Sequence, residues 1–209
     1  VNGDERLNPL RCGFPVCDTV GGLTAAFAIM GALLYRERTG EGQFIDVALL
    51  DSIMPLMGWV AANWLIGGQP PQLLGNDNMT AAPSGTFVTQ DGYINIAANK
   101  QEQWEAVAQE VGMPELITDP RFAKRDDRKK NRNELTQILE TKLKTKPTKY
   151  WVDVLNQKGV PAGEILKFQD ALDAPQIKYR NTIKEIYCDG IGNIKVFNFP
   201  AIFYKTPSE

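Results

Sequence analysis

Histidine is missing from all 209 residues. That removes the commonest general base and metal ligand, so neither a Ser-His-Asp nor a Cys-His hydrolase can be assembled within this chain, and acid-base work falls to carboxylates, lysine, tyrosine or cysteine. Cysteine is scarce: Cys12, Cys17 and Cys188 lack the paired spacing of a zinc site, and no bound metal is expected. An odd cysteine count without a signal peptide favours a reducing, cytoplasmic setting. Charge of one sign is not in excess either. A formal net charge of −2 gives no field that points to nucleic acid or an acidic membrane surface, and neither is expected as a partner. Long unbroken apolar runs are lacking too. Gly21 to Leu34 and Ile53 to Ile66 are too short, or too often interrupted by glycine and proline, for a comfortable bilayer span, and read as core helices.

What is present is an ordinary globular composition, 43% hydrophobic, in a length that allows one large domain or two small ones. From Asp18 onward Leu23, Phe27, Met30 and Leu34 recur at helical steps, and Tyr35 to Arg38 close the run. "RTGEGQ" supplies a helix stop and turn, and "QFIDVAL" predicts a short strand with Phe44 opposite in phase to Ile45 and Val47. A second helix follows, capped by Asp51 or Ser52. It carries Ile53, Met57, Val60 and Trp64 on one face, and Pro55 is tolerable only near its first turn. Gly67 to Pro83 is rich in Gly, Pro and Asn and reads as a linker. Beyond it, Asp91-Gly92 marks a hairpin, Gln101 to Val111, Asn133 to Leu143 and Thr148 to Leu155 read as helices, and "TIKEIYCDGIGNIKVFNF" returns to a β pattern with Asp189, Gly190 and Gly192 in its turn.

Asp18 is the sharpest candidate for chemistry. A carboxylate at a helix N-terminus faces free backbone N–H groups and the positive end of the dipole, and Gly21 and Gly22 let a ligand or another backbone approach. Two readings stand: a plain N-cap contributing roughly 1 kcal/mol to the helix, or a nucleophile. So stabilised a carboxylate is a weak base, and attack needs an activated electrophile such as a thioester. Cys17 has no visible base partner and reads as a small buried core residue. The charged run "KRDDRKKNR", Lys124 to Arg132, reads as a solvated surface rather than a phosphate site, and Asp46 and Asp51 as turn and capping residues. Ser84-Gly85 is either the end of the linker or a loop that closes over a ligand.

At "FPVCDTVGGLTAAFAIMGALLYRERTGEGQFIDVALLDS" the sequence closely resembles the family III CoA-transferases, a group that includes formyl-CoA transferase, carnitine CoA-transferase and the α-methylacyl-CoA racemases. The resemblance continues through "GTFVTQDGYINIAAN", "MPELITDPRF", "YWVDVLNQKGVPAGEI" and "DAPQI" to "GNIKVFNFPAIF". It implies an α/β fold of the interlocked-dimer type. Residues 1–66 would then belong to a large Rossmann-like domain, 67–83 to a linker, 84–180 to a small α+β domain and 181–209 to a β-rich return segment. The family's enzymes are longer than this chain, and the first residue, Val1, is not methionine, so a piece of a longer homodimeric protein is expected.

The family's catalytic aspartate falls on Asp18. By resemblance it attacks an acyl-CoA thioester to form an acyl-aspartyl anhydride and then an aspartyl-CoA thioester, from which a carboxylic acid acceptor takes CoA. CoA thioester is thus a substrate, with no permanently bound cofactor implied. Substrate-binding roles are carried to Gly21, Gly22 and Gly85; the region of the family's glycine-rich loop reads "TAAPSGTF" here, with only Gly85. In the racemases the aspartate serves as an acid-base partner together with a glutamate, and Lys100 occupies that glutamate's position in "IAANKQEQW", which favours transfer. The alternatives are the racemase and a non-catalytic module in which Asp18 is only a cap.

Overall fold

The computed structural model describes residues 2–4 and 7–206. They form two compact units that meet along the chain between Met79 and Thr80.

The first unit is built on α1 (Val16–Thr39). Its helical spacing and Ala-rich interior carry it through Gly22 and Gly31, and it stops where Gly40 turns left-handed at φ 80° with its N–H bonded to Arg36 O. The helix begins two residues earlier than expected, after Pro15, so Asp18 is its third residue and not its cap. Proline suits a helix start because the missing N–H would lack a partner there anyway, and an acid inside the first turn still complements the dipole. Over its 24 residues α1 is long and apolar enough to cross a membrane, contrary to the expectation from its glycines. The core helix of a larger fold passes the same test.

The single second helix is in fact α2 (Leu49–Leu56) and α3 (Trp59–Gly67), bent by 88°. Pro55 lies near the end of α2, where its missing N–H helps to terminate the helix, and Gly58 takes φ 53°, which only glycine adopts freely. Neither Asp51 nor Ser52 caps α2; Ala48 does, and the Ser52 hydroxyl donates back to Ala48 O. No residue of "QFIDVAL" is in a strand, and its last, Leu49, already opens α2. Its alternation survives, with Ile45 and Val47 half-buried and Phe44 92% exposed, yet a strand exists only through a neighbour's N–H and C=O groups and no ladder forms here among the described residues.

The expected burial of these helices is not found. Leu23, Met30 and Leu34 are exposed, Phe27 is 84% exposed, and Gly21 is the only buried residue of α1. A helix stripe is buried only where a second layer covers it, and the described part of this unit holds no sheet. Cys17, expected inside, is exposed for the same reason.

The second unit carries its own layers. Strands β1 (Ser84–Val88), β2 (Tyr93–Ala97) and β3 (Ala162–Glu164) form an antiparallel sheet in that order, with Gly85 opposite Ile96 and Asn95 opposite Gly163. Phe87, Ile94 and Ile96 point into the core while Tyr93 and Asn95 face outward, the period of two that one covered face requires. Onto that face pack α4 (Gln101–Glu110), α6 (Arg132–Leu143) and α7 (Thr148–Gln157), through Trp104 and Val107, through Leu135, Leu139 and Leu143, and through Trp151 and Leu155. The leucines of α6 recur every four residues, one helix face. Trp151 donates its indole N–H to Leu143 O at 2.8 Å, so a large ring is buried without an orphaned donor. Between α4 and α6 run a 3₁₀ turn (Pro114–Ile117) and α5 (Arg125–Lys130); after β3 come α8 (Phe168–Leu172), α9 (Pro175–Tyr179) and the hairpin of β4 (Ile183–Cys188) and β5 (Gly192–Phe197).

The Asp91 side chain of the β1–β2 turn reaches across to cap α7. Its Oδ1 accepts the Thr148 backbone N–H at 2.7 Å and the Thr148 hydroxyl at 2.8 Å. The backbone bond first, and the hydroxyl second, hold the carboxyl below its ordinary value of 3.8. A depressed folded value means that the charged form is what folding favours, so this contribution is present above the unfolded value and lost as pH falls through the folded one. Asp91→Ala is therefore expected to lower the urea midpoint at pH 7, with the wild-type and variant midpoints converging as pH is taken below 3.8. A gap that stays constant down to acid pH would show that the charge on Asp91 contributes nothing.

Candidate active site

Asp18 lies on an exposed surface in the first turn of α1, and its carboxylate makes no capping hydrogen bond. Beside it the Thr19 amide is already bonded to Pro15 O at 3.0 Å, and the Thr19 hydroxyl donates to the same oxygen at 3.0 Å. Among the described residues no side chain satisfies the turn's remaining N–H groups and no cation pairs with the carboxylate, so the partial positive charge of the helix start stands at it alone. An anion held by dipoles and open to solvent is free to meet an incoming electrophile.

The two glycines differ. Gly22, four residues on and hence on the same face as Asp18, would place a Cβ in open space. A Cβ on Gly21 would fall 2.3 Å from Leu49 Cδ2. Close packing of α1 on α2 thus accounts for Gly21, and only Gly22 leaves room beside the carboxylate.

Gly85 belongs to the second unit, where it is a buried strand residue paired with Ile96 and not part of an open loop. The sheet consumes the loop freedom read from "Ser-Gly". Lys100 precedes α4; its backbone N–H donates to the Gln103 side chain at 3.0 Å, and its ammonium lies in solvent. Asp46 is an exposed residue of the stretch that leads into α2, and Asp51 an acid in the first turn of α2.

The charged run is where the sequence misleads most. Arg128 is 2% exposed, not solvated. Its Nε donates to Ala82 O at 2.8 Å, Nη1 to Phe122 O at 2.9 Å and Ala123 O at 3.0 Å, and Nη2 to Gln101 Oε1 at 3.1 Å, with the guanidinium 5.2 Å from the Trp104 ring centre. Burial, followed by the nearby Arg125, pushes its pKa down from the ordinary arginine value. Nothing in the charge pattern separates Arg128 from Lys129 or Lys130. A six-residue helix aims one side chain at the core, and only the fold decides which.

Each unit holds a concavity among its described residues. In the first unit an apolar groove of about 330 Å³ lies between Met54, Met57, Val60, Trp64 and Pro70. In the second a wider cleft of about 550 Å³ is edged by Asp173, Lys178, Lys184, Glu185 and Lys195, mixed in sign. Asp18 lines neither.

The model of CoA-transferase family III matches residues 1–209. Mouse succinyl-CoA:glutarate CoA-transferase is 34% identical over 205 residues, which are 98% of this chain and 47% of that protein. Acetyl-CoA:oxalate CoA-transferase of Acetobacter aceti is 34% identical over 171 residues, 82% of this chain and 44% of that one. Among solved structures, a CAIB/BAIF family protein from Brucella suis superposes with a TM-score of 0.83 at 33% identity, covering 99% of this chain and 53% of its own. The mixed α/β architecture is therefore one already seen in crystals, and the chain spans about half the length of the curated relatives it matches. The family's model covers the chain from end to end, and the chain belongs to CoA-transferase family III.

Proposed function

We propose that this chain is part of a homodimeric, cytoplasmic enzyme that moves CoA between an acyl-CoA and a free carboxylic acid, with Asp18 as covalent nucleophile. The observation that carries the reading is the uncapped, exposed carboxylate of Asp18 in the first turn of α1, with the open face of Gly22 beside it. A carboxylate oxygen adds to the thioester carbonyl and CoA thiolate leaves, giving a mixed anhydride. The thiolate then attacks the aspartyl carbonyl, the first acid departs, and an aspartyl-CoA thioester remains. The acceptor carboxylate attacks that thioester, thiolate leaves again, and its return to the acceptor's carbonyl yields the new acyl-CoA and frees Asp18. The overall reaction trades one thioester for another, so no external energy source is needed.

Short dicarboxylic acids are the acceptors to try first, because the mouse relative is named for succinyl-CoA and glutarate and the Acetobacter relative for acetyl-CoA and oxalate. The test is peptide mass spectrometry of the full-length protein after incubation with succinyl-CoA or acetyl-CoA and hydroxylamine. A hydroxamate on the Asp18 peptide, absent without acyl-CoA, is expected. An unmodified Asp18 together with α-proton exchange in a single acyl-CoA, no acceptor being added, would replace this reading with the racemase. An unmodified Asp18 with no exchange would leave the non-catalytic module.

A further inference from the structure

We infer that Arg125 and Arg128 form a two-point clamp that fastens the second unit's entry segment, Thr80 to Pro83, to the rest of that unit, directly after the joint at Met79–Thr80. Both arginines come from α5, three residues apart and therefore on one side of the helix. Arg125 Nε donates to Thr80 O at 2.9 Å, and Arg128 Nε donates to Ala82 O at 2.8 Å. The two bonds grip alternate carbonyls of one short segment. That segment has no helix or strand of its own, yet Ala81, Ala82 and Pro83 are all buried.

A segment without regular structure is normally the mobile part of a two-unit chain. Here two charge-assisted bonds to carbonyls, each stronger than a neutral one, replace the missing ladder. On the other side of the joint the chain is tied to its own unit: the Gly75 N–H donates to Gly3 O and the Asp77 N–H to Leu74 O, each at 2.9 Å. The unit boundary falls between these two sets of bonds. Because the clamped segment runs directly into β1, Gly85 moves with the core of the second unit. The charged run that reads as solvent-facing thus has a mechanical task, with its acidic members turned outward and two of its arginines turned onto the backbone.

The structure supplies a reporter. The Ala98 amide donates to Pro83 O at 3.1 Å, so it is protected only while the clamped segment is docked. Native-state hydrogen exchange on the full chain should show Ala98 exchanging about tenfold faster in Arg128→Lys, which keeps the charge and loses the planar fork. In Arg125→Ala, an exposed position, the expected acceleration is about threefold. The Leu139 amide, in the core of α6, should keep its wild-type rate in Arg125→Ala and accelerate clearly less than Ala98 in Arg128→Lys, where some general stability is lost as well. Unchanged Ala98 exchange in both variants would overturn the clamp. So would an equal acceleration at Leu139, since that is general loss of stability and not release of one segment.

Discussion

Asp18→Asn in the full-length protein is expected to lower CoA transfer by at least about three orders of magnitude, with little effect on the fold. On the proposed reaction the side chain keeps its shape but loses the oxygen nucleophile; an amide does not add to a thioester, and no anhydride could form. Stability changes little because the carboxylate caps nothing. The cost is one favourable charge near the dipole's positive end, about 0.3–1 kcal/mol for such a position. Asp18→Glu is the sharper companion. It restores a carboxylate but moves it one methylene further from α1, and covalent attack tolerates misplacement poorly, so it should remain far below wild type. On that reading the assay is CoA transfer from succinyl-CoA to glutarate, the pair named for the mouse relative, followed by chromatography, beside a thermal melt of each variant. Activity of Asp18→Asn within tenfold of wild type, at an unchanged melting temperature, would reduce Asp18 to an acid that merely suits its helix turn.

The parts of this chain that were legible in the sequence are those whose partners lie nearby in the same unit. α4, α6 and α7 fall within one or two residues of their expected limits, and the two hairpins lie where Asp91-Gly92 and Asp189-Gly190 place them. Each of these elements packs or pairs within the second unit, so local pattern and tertiary context agree. In the first unit they part. The period of α1 is visible in Leu23, Phe27, Met30 and Leu34, but their burial is not a property of the period; it depends on a covering layer. Phe44 to Val47 alternates as a strand does and lacks the ladder that would make it one. The α2–α3 break did leave a trace, Pro55 followed by Gly58, which a reading as one continuous helix passed over. Asp18 was visible as a residue at a helix mouth, though its place in the turn was not; Pro15 decides that. Arg128 left no local trace, because a buried guanidinium is defined by carbonyls that come from Ala82, Phe122 and Ala123 in different stretches of chain.

Arg128→Ala should cause the largest loss of stability available from a single charged side chain in the second unit, about 3–5 kcal/mol. The magnitude follows from what is left behind. Ala82 O, Phe122 O and Ala123 O lose their guanidinium donors in the interior, and an unsatisfied buried polar group costs about 1–3 kcal/mol unless water reaches it. The Trp104 ring loses the cation above it, while its indole N–H has no acceptor among the described residues to hold the ring in place. Arg121 provides the contrast. It has two carboxylate partners, Asp119 and Glu134, and so looks the stronger interaction, yet it is half-exposed and water can replace either partner. Arg121→Ala is accordingly expected to cost far less than Arg128→Ala. Guanidinium chloride titrations at pH 7, followed by tryptophan fluorescence, read both, and water entering beside Trp104 should also shift the native emission of Arg128→Ala to the red. The prediction fails if Arg128→Ala costs no more than Arg121→Ala, for the carbonyls around Arg128 would then find water as easily as an exposed carboxylate does. A cost several times larger would mean that the most basic stretch of this sequence is chiefly a device of the core, where one arginine without a carboxylate partner does more for folding than the exposed arginine with two.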